Sequence, residues 1–195
     1  MDSNILNEIY NYIMTLVNNS TIYGPLFACL LIFIESMLPV LPLFVFITIV
    51  FIAYGYGLGF LISYILTCLG CFLAFFLCRK ILKVFFEKRV RKIEHFDKIM
   101  VRIDKMKLSS LVLLLAIPFT PAFLINIAAA LSDMSFKKFS TAIIIGKISL
   151  VFFWGFIGTS LIESLKNPKI IIIIMVMLLV SYLLSKFATK KLEIE

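Results

Sequence analysis

Two apolar runs, each cut near its middle by the pattern P-x-x-P, constrain this chain more than any other feature. The first covers residues 22–54 and carries Pro39 and Pro42; the second covers 108–131 and carries Pro118 and Pro121, 79 residues further on. An unbroken helix over the 33 residues of the first run would be about 50 Å long, against a hydrocarbon core of about 30 Å. Proline removes a backbone donor and clashes with the preceding turn. Two half-length helices meeting at Pro39-Val40-Leu41-Pro42 would form a re-entrant hairpin; a kinked, tilted single span is the other reading. Non-helical backbone at membrane depth survives only where protein or water satisfies it. The two breaks should therefore face each other and shape a common polar site. Paired Pro-interrupted segments in corresponding positions of two halves point to a transporter built on repeats.

The rest of the chain fits a membrane setting. Hydrophobic residues make up 62% of it and the mean hydropathy is +1.09, well above the roughly 45–50% apolar content of a soluble domain. Soluble enzymes, secreted disulfide scaffolds and disordered tails are excluded, and 195 residues make one membrane domain over 21–195. Residues 1–20 carry Asp2, Glu8 and no basic residue, unlike a cleavable leader. Ile5, Ile9 and Ile13 share one face there, which predicts an interfacial helix. Gly55, Gly57 and Gly59 mark a turn after the first run. Spans are expected over 58–78, 139–162 and 168–187, and a second hairpin over 108–134. The fold class expected is an all-α integral membrane protein: two Pro-broken re-entrant hairpins plus about three spanning helices in an inverted-repeat arrangement.

The net charge of +8 reads first as topology rather than nucleic-acid binding. Residues 79–107 hold eleven Lys/Arg and four acids. Val90, Ile93, Phe96, Met100 and Ile103 recur there at three- and four-residue steps. This predicts a basic amphipathic helix on an anionic membrane surface, with Lys88, Arg89, Arg91 and Lys92 as headgroup contacts. Placing 79–107, Lys137, Lys138 and the C-terminus on one side gathers sixteen of the nineteen Lys/Arg, so that side is expected to be cytoplasmic.

Few residues carry chemistry. Glu35 lies inside the first run, four residues before Pro39, where a carboxylate costs about 2.5–3.5 kcal/mol on insertion scales. It is either a site for a proton, an ion or a cationic headgroup, or a cap on backbone N–H groups freed by the prolines. Lys147, in Ile-Gly-Lys-Ile, is about 13 Å past Lys138 at helical rise. It either snorkels or faces the bundle interior, where it would hold a phosphate or pair with Glu35. Gly146 beside it permits a close helix approach. Asn126, five residues past Pro121, can give and take hydrogen bonds at a broken helix. Cys68 and Cys71 form a lone C-x-x-C, and Cys29 and Cys78 are equally apolar in setting; the only histidine, His95, is too far off to complete a zinc site. There is no H-E-x-x-H, nucleophile–base pair, paired-aspartate protease pattern or cofactor fingerprint, so neither an enzyme nor a cofactor is expected.

The stretches Phe33-Ile-Glu35-Ser-Met-Leu-Pro39-Val-Leu-Pro42 and Ile117-Pro118-Phe-Thr-Pro121-Ala-Phe-Leu-Ile-Asn126, with Ile145-Gly146-Lys147 and Trp154-Gly155-Phe-Ile-Gly158, resemble the DedA-like, or SNARE-associated Golgi protein (VTT-domain), membrane family. The likeness covers roughly 22–162 and is closest to its bacterial branch. It implies two re-entrant hairpins in an inverted repeat, and lipid translocation or scrambling of phospholipid or polyprenyl phosphate in support of the envelope. Carried over residue by residue, it implies a transport site at Glu35, Pro39, Pro42, Pro118, Pro121, Asn126, Gly146 and Lys147. Proton-coupled members carry arginines and an acid where this chain has Leu115, Pro121 and an apolar residue near Ile47.

The expected partners are membrane lipids and anionic headgroups, with a homo-oligomer allowed and no nucleic acid. The expected place is the plasma membrane of a bacterium. A small-solute or ion transporter and a membrane scaffold are the competing readings. The orientation has a direct test: cysteines introduced in 79–107 or at 190–195 should resist an impermeant thiol reagent in intact cells and react after permeabilisation. Labelling before permeabilisation would reverse the assignment.

Overall fold

The computed structural model of the chain describes residues 23–38, 42–82, 102–120, 122–164 and 169–191. The described residues form helices only. Helix α1 is Tyr23–Met37 and α2 is Leu43–Leu77, which widens into a π-turn over Cys78–Leu82. A helical turn over 102–105 leads to α3 (Leu108–Ala116) and α4 (Ala122–Leu131). The long helices α5 (Phe136–Ser164) and α6 (Lys169–Lys191) complete the chain. The N-terminal segment 1–20 and the basic surface set Lys88, Arg89, Arg91 and Lys92 lie outside the described residues, as do Pro39 and Pro121.

Helix α2 is two helices joined at a fold. Gly55 has φ 74° and ψ 172°, a conformation closed to most L-residues. A Cβ on Gly59 would lie 2.7 Å from Phe51 Cα, whereas residues eight apart in a straight helix are about 12 Å apart. The chain therefore doubles back at Gly55, leaving a short arm (43–54) and a long arm (56–77). Of the three glycines of this turn only Gly55 needs its backbone freedom; Gly57 has open space around it. Ala28 and Ile32 of α1 share one apolar cluster with Ile47, Val50 and Phe51 of the short arm. So α1 and the short arm are two short helices packed on each other through that cluster.

The second half repeats this plan. Helices α3 and α4 are short, are separated by Pro118 and its neighbours, and pool Leu111, Leu114, Leu115, Ile125, Ala128 and Ala129 in one core. They precede the long α5, as α1 and the short arm precede the long arm of α2. A Cβ on Gly70 of the long arm would lie 2.6 Å from the Phe33 carbonyl oxygen and 2.7 Å from Ser36 Cβ; on Gly146 of α5 it would lie 3.1 Å from the Val112 carbonyl oxygen and 2.9 Å from Leu115 Cβ. Phe33 and Ser36 stand 79 residues before Val112 and Leu115, the offset that separates the two P-x-x-P motifs. The two halves thus seat their first short helix on their long helix through the same contact.

The two long helices run in opposite directions. Tyr56 reaches Thr159, Tyr64 donates to the Ile144 carbonyl at 2.8 Å, and the Phe75 and Phe139 rings stack 4.4 Å apart. As one partner number rises the other falls. Gly155 and Gly158 of α5 lie directly against Phe51 and Thr48 of the short arm. Among the described residues three helices, counting the whole of α2, are long and apolar enough to cross a membrane, and the long arm alone would span about 33 Å at ~1.5 Å per residue. Helix α6 is the least covered: Ile172, Met175 and Phe187 are each more than 60% exposed, as a surface bathed in acyl chains would be.

Gly70→Ala should lower the thermal midpoint in detergent, because both neighbours are held by backbone and overpacking of this kind costs about 1–3 kcal/mol. Gly57→Ala, with nothing to meet, should not. Equal midpoints for the two variants would contradict the close seating of α1.

Candidate functional site

Glu35 sits two residues before the end of α1, Asn126 is in the middle of α4 and Lys147 directly follows Gly146, the residue that seats α5 on Leu115. All three are buried, at 8%, 7% and 5% exposure, and all three face one cavity of about 310 Å³ between the two helix breaks. The cavity is completed by Ser36 and Leu43 from the first break and by Phe119, Thr120, Ala122 and Phe123 from the second, with Leu150 and Trp154 from α5. Glu35 and Lys147, of opposite charge type, thus line one space. Neither side chain snorkels to the surface.

Second contacts hold these groups. Asn126 donates Nδ2 to Cys71 Sγ at 3.6 Å, and Cys71 in turn donates to the Ser36 carbonyl at 3.8 Å. Cys71 thereby joins the first break to the second through the long arm of α2. Asn126 Oδ1 is buried and accepts no hydrogen bond among the described residues, leaving an acceptor beside the cavity. Thr120 Oγ1 lies 3.3 Å from Ser185 Oγ, which ties the second break to α6.

Arg79 fixes the far end of α4. The π-turn at the end of α2 carries its side chain over Phe75, 4.3 Å from the ring centroid. Its Nε donates to the Ala130 carbonyl at 3.0 Å, and Nη2 donates to the carbonyls of Ala129, Ser132 and Met134 at 3.3, 3.0 and 2.8 Å. Ala129 and Ala130 belong to the last turn of α4, and Ser132 and Met134 to the chain just beyond it; a cation is favoured at such a C-terminus by the helix dipole. One guanidinium therefore locks α4, and with it Asn126, to the long arm that carries Cys71.

Comparison with known proteins then decides the family. The VTT domain matches residues 38–160. The chain belongs to the VTT-domain (DedA) family. The Bacillus subtilis (strain 168) uncharacterized membrane protein YhjE is 30% identical over 172 residues, covering 88% of this chain and 83% of that protein. No solved structure matches the chain. The domain match runs from the first P-x-x-P to near the end of α5, so it spans both breaks and leaves Glu35 just before its start and α6 after its end.

Of the residues singled out in sequence, Glu35, Asn126 and Lys147 converge on the cavity. Gly146 does not line it; it seats α5 on α3 one residue from Lys147. Pro42 is exposed just before α2, and Pro118 is buried at the end of α3. Four participants carried no distinctive sequence signal. Arg79 looked like the first charge of a basic segment, Cys71 like one of several apolar thiols, and Phe119 and Trp154 like ordinary packing aromatics.

Arg79→Gln should lower the thermal midpoint of the protein, since hydrogen bonds to a charged donor contribute about 1.5–3 kcal/mol; Arg79→Lys should recover only part, lacking the planar fork. A glutamine variant that melts with wild type would show that α4 is held by other contacts.

Proposed function

We propose that this protein moves lipid headgroups, of phospholipid or of polyprenyl phosphate, across the plasma membrane, with its C-terminus cytoplasmic. The observation that carries the reading is the burial of a carboxylate, an ammonium and a carboxamide around one cavity between two broken helix pairs. Intramembrane ionisable groups are costly and collect where they meet a substrate path. Lys147 and Asn126 offer donors to a phosphate, and Glu35 offers an acceptor to an ammonium. The inverted order of the two halves supports an alternating path, because opposed repeats can exchange the side on which they open. On this reading α1 with the short arm of α2, and α3 with α4, are re-entrant hairpins.

The test is reconstitution into vesicles with fluorescent lipids, with and without a pH gradient. Wild-type protein should speed the movement of lipid between leaflets; Glu35→Gln and Lys147→Met should each abolish it. Each single change also leaves one charge in the cavity without the opposite charge that shares it, which is costly. The double variant should therefore be less destabilised than the two singles together. Full transport by Glu35→Gln would leave the carboxylate a structural role only. Movement of small solutes without lipid would replace the lipid reading with a solute one.

A further inference from the structure

Among the described residues, the walls of the cavity grade from a buried polar set to one exposed residue. Glu35, Asn126, Lys147 and Leu150 are buried, and the remaining lining residues are half-buried except Phe119, which is 49% exposed. Phe119 is also the one described residue other than glycine with a positive φ, at 66°. Bulky side chains avoid this region because Cβ meets the backbone, and residues held there cluster at clamps and switches. The conformation follows directly on buried Pro118 and is held on its other side by Thr120, whose carbonyl accepts from Ala122 N–H at 2.6 Å.

What this backbone achieves is the position of the ring. Phe119 meets Trp154 edge-to-face, with centroids 5.4 Å apart and planes at 76°. Trp154 is itself 5.7 Å from Phe44, at the start of the short arm of α2. The three rings form a continuous aromatic bridge from the second break, over α5, to the first half. Both Phe119 and Trp154 border the cavity, so the bridge lies across its rim rather than elsewhere on the surface.

We propose that Phe119 is the gate of this cavity and the residue that determines which headgroups enter it: its ring, seated on Trp154, closes the mouth, and the left-handed backbone keeps it there. Glycine would satisfy the same backbone without strain; what phenylalanine adds at this position is its ring. The closure stands on geometry alone; the selection of headgroups rests on the lipid-transport reading above.

The chain has a single tryptophan, and it is Trp154, so its fluorescence reports on the rim without any substrate. In lipid nanodiscs, quenching of Trp154 by acrylamide should rise about twofold in Phe119→Ala and Phe119→Gly, as an aromatic face of this size becomes open. Phe119→Gly should melt no lower than wild type and above Phe119→Ala, since only glycine relieves the backbone. In vesicles, wild type should favour acyl-labelled over bulky headgroup-labelled lipid, and Phe119→Gly should lose that preference. Unchanged quenching in both variants overturns the gate whatever the lipid result. Raised quenching with an unchanged headgroup preference overturns the assignment of selectivity to Phe119. Absence of lipid movement by wild type refutes the lipid reading, and the quenching result then decides the gate by itself.

Discussion

Peptide groups at a helix break have no helical partners, and in an apolar surround they must be covered by protein. The rest of this structure follows from that requirement. Four short helices cannot shelter their own ends, so each pair is laid on a long helix that can. Gly70 and Gly146 make this possible by letting the backbone of α1 and α3 come closer than any side chain would allow. Arg79 serves the same need at the end of α4, where it gathers two carbonyls of the last turn and two of the chain just beyond it. A residue with one donor could not replace it, because the carbonyls of Ala129, Ala130, Ser132 and Met134 point at one place from different turns.

The two halves share geometry but not chemistry. In the offset that aligns Pro39 with Pro118, Glu35 aligns with Leu114 and Asn126 with Ile47. In the offset that aligns Gly70 with Gly146, Cys71 aligns with Lys147. Each polar member of the cavity thus has a less polar counterpart in the other half. Leu114 and Ile47 are fully buried, and each packs into the core of its own half. The scaffold is used twice and the site is made once, at the junction, with an acid from one half facing a base and an amide from the other. Two acids at equivalent positions would repel each other, and two lysines likewise. Division of opposite charges between halves avoids both.

What the sequence revealed depended on how unusual each residue was in its surroundings. Proline pairs, and ionisable side chains inside apolar runs, are legible because their cost in a membrane admits few explanations. Glu35 and Lys147 belong to this class, and both are buried at the cavity. Three glycines in five residues marked a turn, but their distinct duties were not legible: Gly55 turns, Gly59 packs on Phe51 and Gly57 does neither. Arg79 was hidden by its neighbours, since an arginine opening a basic stretch reads as topology. Only the carbonyls some fifty residues away reveal its use. Phe119 had no signal at all, because nothing local announces that a phenylalanine between Pro118 and Thr120 adopts a left-handed backbone.

A cavity of about 310 Å³ has room for about ten waters at ~30 Å³ each, so Glu35 and Lys147 need not collapse on each other to be tolerated. This matters for the proposed transport. A path across a membrane must bind its cargo well enough to admit it and weakly enough to release it. Lys147 alone in an apolar cavity would hold a phosphate too firmly, for the low dielectric strengthens the attraction and removing the anion would strand the cation. With Glu35 in the same cavity, the ammonium has a resident counter-charge to return to when the headgroup leaves. The carboxylate then acts as a competitor for Lys147 as much as a ligand for an ammonium group. On the lipid-transport reading, the opposed charges are a means of release, which is why neither half carries both.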